Sequence, residues 1–441
     1  MTLISKFKKK FYFVAAGYFK FWANISLKKW HPRIVMITGS AGKTTMLNLV
    51  ECQLGAKAHY SHNANSAFGI AFDILGMHGI TGSKLHWISL FLSAPARAFS
   101  YQRHEDFYIV ECDAERPHEA EFIAKWLKPE VSVWVSLGRS HAVFYEGVVA
   151  SGEFETIDEA IAHEFATIPM HTRKLVLIDG DNQEMVDSTK IVDAEVAKLS
   201  KDELQSYEVY PNKAIFKFKG HNFEFNEPMP RDVTIQLVML RHLMKYLDMP
   251  VNYKLDNFDM PPARSNYLKG KKGIKIIDSS YNAHIISMTT ILDMFKRMRT
   301  QHKWMVIGDI IDQGKLEGEE HKKLAGLLLD VNAEKVIMIG RRTKKYTYPL
   351  MKDKCDVVSF DKPQQALAYL EDNLTGEETV LFKGSQYLEW IVEKLLADPV
   401  DVDKLARQDA AHKKRRASWG LKWKSYTLST AGLIGRSHGR R

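Results

Sequence analysis

The stretch "IVMITGSAGKTTMLNLV", residues 34–50, decides how this chain is read. Its apolar start, "IVMIT", has the composition of a buried strand, and Thr44 onward reads as the helix that this strand feeds. Between them lies a small turn, Gly39, Ser40, Ala41 and Gly42, followed by Lys43, Thr44 and Thr45. The two glycines let the backbone curl so that successive amides point at phosphate oxygens, and the following helix adds its N-terminal dipole. Lys43 then reaches the terminal phosphates, and the Thr44 hydroxyl suits Mg²⁺. The general phosphate-loop pattern has a glycine where this chain has Ile37, so the loop is a short form.

Downstream, β-rich runs alternate with helical stretches, which predicts an α/β sheet. "FYIVECD" (107–113), "VSVWVSL" (131–137) and "KLVLIDGDN" (174–182) read as further strands. Hard oxygen ligands for Mg²⁺ are expected at the carboxyl ends of such strands, which puts Glu111 in place. His141 follows the next strand. Residues 205–226 change to short alternating strands around turns, and a helix is expected near 232–247. The consecutive prolines of "DMPPARSNYL" exclude helix and mark a link. Beyond it, "GIKIIDSSYNA", "KWMVIGDI", "KVIMIGRR", "CDVVSF" and "TVLFKGS" have the rhythm of a second, doubly wound domain. From about 399 the chain reads as a charged helix, and "STAGLIGRSHGRR" as a disordered end.

Composition narrows the function classes. Three scattered cysteines, Cys52, Cys112 and Cys355, with no CxxC, argue against a disulfide framework or zinc ribbon and fit a reducing cytosol. The net charge of +9 is confined to the ends: residues 1–33 hold eight Lys/Arg and residues 412–441 hold nine, neither with an acid, which leaves the body at −8. A nucleic-acid footprint over the whole surface is therefore not expected, and the tail "HKKRRASWGLKWK" fits membrane contact or solubility better than nucleic acid. The apolar run 11–19 is too short to span a bilayer. Its aromatics and lysines suit either a helix lying on an anionic membrane or one packed on the body.

Taken together, these motifs resemble the Mur ligase family. "TGSAGKTT" is similar to the short TG-[TS]-x-GK-[TS]-[TS] loop of that family. "HNANSAFGIAFDILG", "FYIVECDAERPHEAEFIAKWLKPEVSVWVSLGRSHAVFY", "IIDSSYNAHIISM", "VIGDIIDQGKLEGEEH" and "LFKGSQ" resemble the successive blocks of its MurF type, in order, from about 34 to 390. The resemblance implies a P-loop central ATPase domain followed by a Rossmann-like C-terminal domain. With it the ATP-binding domain is expected at 34–260 and the ligase domain at 261–398, between the basic aromatic segment at 1–33 and the charged helix with basic tail at 399–441 that the charge pattern marks.

It also implies an ATP-dependent amide ligase with Mg²⁺, cytoplasmic and acting at the inner face of the membrane if its substrate is there. By position, Gly39 to Thr45 hold the phosphates, with Lys43 on the β/γ-phosphates. Thr44, Glu111 and His141 serve the metal. Asn65, Ser66 and His321 face the substrate. Arg264, Asp278, Tyr281 and Asn282 reach the nucleotide, and Lys383 lies near the incoming amine or carboxylate across an interdomain cleft. The expected partners are a cell-wall precursor peptide and an amino acid or dipeptide such as D-Ala-D-Ala. The alternatives are a polymer or lipid-linked acceptor, or a nucleotide-binding scaffold that has lost ligation.

The chain departs from the family pattern in four places. Many Mur ligases carry a carbamylated lysine after the histidine, yet no lysine lies between Lys128 and Lys174; either Glu159, His163 or Glu164 substitutes, or the site works with less metal support. Ser279 stands where the family has an aspartate, with Asp278 one step earlier. Gln386 replaces an arginine. The MurF type carries a UDP-binding domain ahead of the loop, where this chain has 38 residues before Gly39, so a substrate at the membrane surface is the expectation for that end.

Overall fold

The apolar run that opens the loop becomes a central strand because both its faces are covered. In the computed structural model, which describes residues 3–62, 64–77, 84–139, 142–281, 283–311, 316–385 and 387–421, β1 (Arg33–Thr38) is buried along almost its whole length. It is flanked by β3 (Phe107–Glu111) and β4 (Val131–Trp134), both wholly buried. With β2 (Ala58–Tyr60), β5 (Leu175–Asp179) and β6 (Glu195–Leu199) they form a six-stranded sheet in the order β2-β3-β1-β4-β5-β6. Every pairing is parallel, as continuous apolar strands buried on two faces require.

The helices of this unit are α1 (Leu3–Trp30), α2 (Lys43–Leu54), α3 (Ala67–Ile74), α4 (Lys84–Ser100), α5 (Glu119–Leu127), α6 (Ala142–Ala150), α7 (Ile157–Met170), α8 (Gln183–Ser188) and α9 (Thr234–Tyr246). The alternating region at 205–226 forms β7 (Leu204–Tyr210), β8 (Lys213–Phe218) and β9 (His221–Phe225), a separate three-stranded sheet.

The chain divides into two compact units. The first is Met1–Tyr207, Ile215–Phe225 and Arg231–Asp259; the second is Glu208–Ala214, Asn226–Pro230 and Met260–Arg441. The second unit is built on β10 (Asn266–Lys269), β11 (Lys275–Ser279), β12 (Lys303–Gly308), β13 (Lys335–Ile339), β14 (Val357–Phe360) and β15 (Thr379–Lys383). Their order is β10-β11-β15-β12-β13-β14, with β10 antiparallel and the others parallel. Helices α10 (Ile285–Arg297), α11 (Glu317–Val331), α12 (Pro363–Asn373), α13 (Leu388–Leu395) and α14 (Ala410–Ser418) complete it.

Two terminal expectations are sharpened. Helix α1 packs on its own unit. Phe19 is fully buried against Phe72 at 4.8 Å and Phe91 at 4.7 Å between ring centres. The Tyr18 hydroxyl donates to the Phe91 carbonyl at 2.8 Å, the Trp126 indole to Asn24 Oδ1 at 2.6 Å, and Tyr12 to Glu119.

The stretch from 399 is not one helix. Asp398 caps a short 3₁₀ turn, Pro399–Lys404, and Asp409 separately caps α14 by accepting from the Ala411 and His412 amides. Two caps divide what charge alone made look continuous. Arg416 of the basic run is buried and donates to the Arg407 carbonyl at 3.0 Å. Residues 422–441, with the expected disordered end, lie outside the described residues.

Candidate functional site

The parallel register brings three strand ends beside the loop, with Ile37 opposite Glu111 and Thr38 opposite Trp134. Gly39 has φ 138°, and a Cβ there would stand 2.8 Å from both the backbone N and O of Ser136. No other residue type lets the loop lie so close to the chain leaving β4. Ser136 in turn holds the loop: its carbonyl accepts from the Ser40 amide at 3.2 Å, and its hydroxyl accepts from the Ala41 amide at 2.9 Å and donates to the Ala41 carbonyl at 2.8 Å. Gly42, at φ 80°, is the N-cap of α2 and provides no side-chain cap. The first-turn amides of α2 therefore face the loop, the arrangement that binds anions.

Lys43 is buried and folded back on the loop. Its Nζ donates to the Gly39 carbonyl at 2.7 Å and pairs with Asp113 Oδ1 at 3.2 Å. The Thr44 hydroxyl donates to Glu111 Oε2 at 3.0 Å. Glu111 is itself fixed by its amide, which donates to the buried Ser61 hydroxyl at 2.8 Å. The Thr44 hydroxyl and the Glu111 carboxylate form a hard-oxygen pair at the carboxyl ends of strands, a donor set that suits Mg²⁺. Among the described residues no group of three His, Cys, Asp or Glu gathers for a metal. His141, expected as the third ligand, lies outside the described residues.

Around this pair, the Asn65 carbonyl accepts from the Asp113 amide at 3.1 Å, which ties the Asn65 segment to the partner of Lys43. The Ser66 hydroxyl accepts from the Gly69 amide and caps α3. Cys112 is fully buried, its thiol pushed well up by burial, which makes it core rather than nucleophile.

The three side chains expected to replace the carbamylated lysine are engaged elsewhere. Glu164 accepts from the amides of His118 and Ala120, both at 2.8 Å, at the start of α5. Burial raises its carboxyl to about 7 against those stabilising amides. Glu159 is exposed in the first turn of α7, its Oε2 accepting from the Glu155 amide at 3.0 Å. His163 is exposed and its ring lies 5.1 Å from that of Phe154.

In the second unit, Arg264 lies over the Tyr281 ring at 4.6 Å, and Arg407 covers the same ring at 5.5 Å while donating to the Tyr281 carbonyl. Ser279 is in register with Lys383 across β11 and β15. Asp278 is fully buried, with Oδ1 accepting from the Ser280 amide at 3.0 Å. Burial and the nearby Glu389 raise its carboxyl to about 6. Lys383 is also buried, and burial plus the positive Arg264 bring its ammonium down to about 7, against the pull of Asp278.

His321, expected to face the substrate, is fully enclosed: its Nε2 accepts from the Ile310 amide at 3.2 Å and its Nδ1 donates to the Glu317 carbonyl at 2.8 Å. With both ring nitrogens used, it positions the turn after β12. Asn282 and Gln386 lie outside the described residues.

Two residues of the site went unmarked in the sequence. Asp113 was legible as the acid two places after Glu111, but its pairing with Lys43 was not. Ser136 carried no signal at all, since a serine ending a strand is commonplace.

Residues 263–386 match the family model described as Mur ligase, glutamate ligase domain. Among curated proteins, the chain is 29% identical over 112 residues to the UDP-N-acetylmuramoyl-tripeptide–D-alanyl-D-alanine ligase of Rickettsia prowazekii, covering 25% of each chain. It is 22% identical over 334 residues to the protein of the same name from Borreliella burgdorferi, covering 72% of this chain and 64% of that one. The chain thus spans less than two thirds of the length of either relative. Among solved structures, the MurF ligase of Thermotoga maritima in complex with ADP superposes with a TM-score of 0.67 at 18% identity, over 88% of this chain and 83% of that one. That likeness is one of fold.

Proposed function

We propose that the chain is an ATP-dependent amide ligase of the Mur ligase type, the family whose model its residues 263–386 match. It joins D-Ala-D-Ala, or a similar amino acid or dipeptide, to the carboxylate of a cell-wall precursor peptide. The carrying observation is the Thr44–Glu111 pair beside Lys43 on a loop clamped by Ser136.

In this reading the substrate carboxylate attacks the γ-phosphorus of ATP and ADP leaves. The amine then attacks the acyl carbon, loses a proton, and expels inorganic phosphate. Lys43 exchanges its Gly39 and Asp113 contacts for the β/γ-phosphates, and the α2 amides hold the same anion. Thr44, Glu111 and His141 would hold Mg²⁺, which neutralises charge on the transferring phosphoryl group. Asn65 and Ser66 line the substrate side of this unit. Arg264, Asp278, Tyr281 and Asn282 serve the nucleotide, and Lys383, its charge weakened by burial, meets the reacting carboxylate or amine. A cytoplasmic location follows from the use of ATP.

A second reading, a nucleotide-binding scaffold without ligation, is favoured by one observation: Glu164, the best-buried substitute for the carbamylated lysine, is spent on α5. Phosphate release from the full chain with Mg-ATP separates the two. The ligase reading expects release that requires both UDP-muramoyl-tripeptide and D-Ala-D-Ala. Release that ignores every acceptor and amine leaves the scaffold.

A further inference from the structure

Helices α1 and α4 pack side by side, and neither Leu3–Trp30 nor Lys84–Ser100 contains an acidic residue. This is unusual in a chain whose body is otherwise negative. One flank of α1 meets α4 through Tyr18 and Phe91, and the other meets α5, where Lys20 lies over Phe122 and Asn24 binds Trp126. The stripe between those flanks, Val14, Phe21 and Lys28, repeats every seven residues and faces outward. Helix α4 adds Ile88, Leu92 and Phe99 from one of its own faces.

All five apolar residues are more than half exposed. The two stripes join through rings: Phe21 is 5.0 Å from Trp22, which is 6.3 Å from Phe99, and Lys29 lies over Phe99 at 4.9 Å. Lys28, Lys29 and Arg97 are exposed around this patch. No described helix is long and apolar enough to cross a membrane.

We propose that this α1–α4 face docks on the surface of an anionic lipid bilayer. The occupant follows from the chemistry. Exposed aliphatic and aromatic side chains enter the acyl boundary, lysine and arginine meet lipid phosphates, and the absence of any carboxylate on both helices removes repulsion. A protein partner would need complementary acids and a shaped contact, whereas a fluid anionic surface needs only this combination of charge and apolar area.

The face would hold the chain at the membrane whatever the chemistry of its site, so its test uses neither ATP nor acceptor. Full-length protein is sedimented with vesicles of phosphatidylglycerol and phosphatidylcholine, and with phosphatidylcholine alone. Binding is expected only to the anionic vesicles and to weaken with salt. The partition coefficient should fall about tenfold or more in a Phe21→Glu/Leu92→Glu variant and in a Lys28→Glu/Arg97→Glu variant. These side chains are exposed, so melting temperatures should hold and keep loss of binding distinct from loss of fold. Absence of binding to anionic vesicles overturns the proposal, as does wild-type binding by both variants. So does a solution dimer that the variants dissociate without any vesicle binding, which would assign the face to a second copy.

Discussion

The Thr44 hydroxyl donates to the Glu111 carboxylate across 3.0 Å, joining the first turn of α2 to the last residue of β3. The two residues are 67 positions apart, and parallel pairing of β1 with β3 is what brings them together. Glu111→Gln keeps an acceptor for Thr44 but removes the charge a metal needs. Turnover with Mg-ATP should fall by about 10²- to 10³-fold, the scale of losing one electrostatic contact to the reacting group. The melting temperature should barely change. Steady-state phosphate release beside thermal melts reads both.

The glycine at position 39 is required by close approach as well as by φ. In Gly39→Ala the new Cβ meets the Ser136 backbone, so the loop must move. A loss of roughly 2 kcal/mol is expected, within the range for strained backbone, with weakened nucleotide binding. Gly17→Ala makes a contrast, because its Cβ meets nothing within 4 Å in a helix. There a gain of about 0.5–1 kcal/mol is expected from helix propensity. Denaturant titrations of the two variants should move in opposite directions.

Glu164 predicts a pH effect on stability. Its folded carboxyl is raised to about 7 from an ordinary 4.5, so between those values the native state binds more protons than the unfolded chain. Stability is full below about pH 4.5, falls as pH rises towards 7, and levels above it, by roughly 3 kcal/mol at most. In Glu164→Gln that component vanishes. The difference in melting temperature between wild type and variant, followed from pH 5 to 8, should therefore change with pH. Parallel curves would assign the titration to another group.

Phe19 tests the seat of α1. Its ring is fully buried among Phe68, Phe72 and Phe91. Phe19→Ala should cost about 3–5 kcal/mol, the usual penalty for emptying an aromatic core position. Phe21→Ala, two residues on and on the opposite, exposed face of the helix, should cost well under 1 kcal/mol. Equal losses in urea unfolding would mean that α1 is not seated through Phe19.

The α/β class, strands β1, β3, β4 and β5 of the first unit and β11 to β15 of the second, the glycine turn before Lys43 and Glu111 beside it were legible in the amino-acid sequence, whereas β2, β6 and β10 were not. Each legible feature is encoded locally: an apolar run flanked by turns makes a strand, two glycines before a lysine make the loop, and an acid ending a parallel strand lies at the carboxyl end of the sheet, where ligands gather. Tertiary structure alone decided what depends on residues far apart. Ser136 clamps a loop 95 residues earlier, Asp113 neutralises Lys43, and Glu164 is spent on α5. His321 closes on backbone groups, and α1 packs both flanks while leaving Phe21 outside. A side chain's type states which bonds it can form, but its partner is set by packing, and packing is a property of the folded chain.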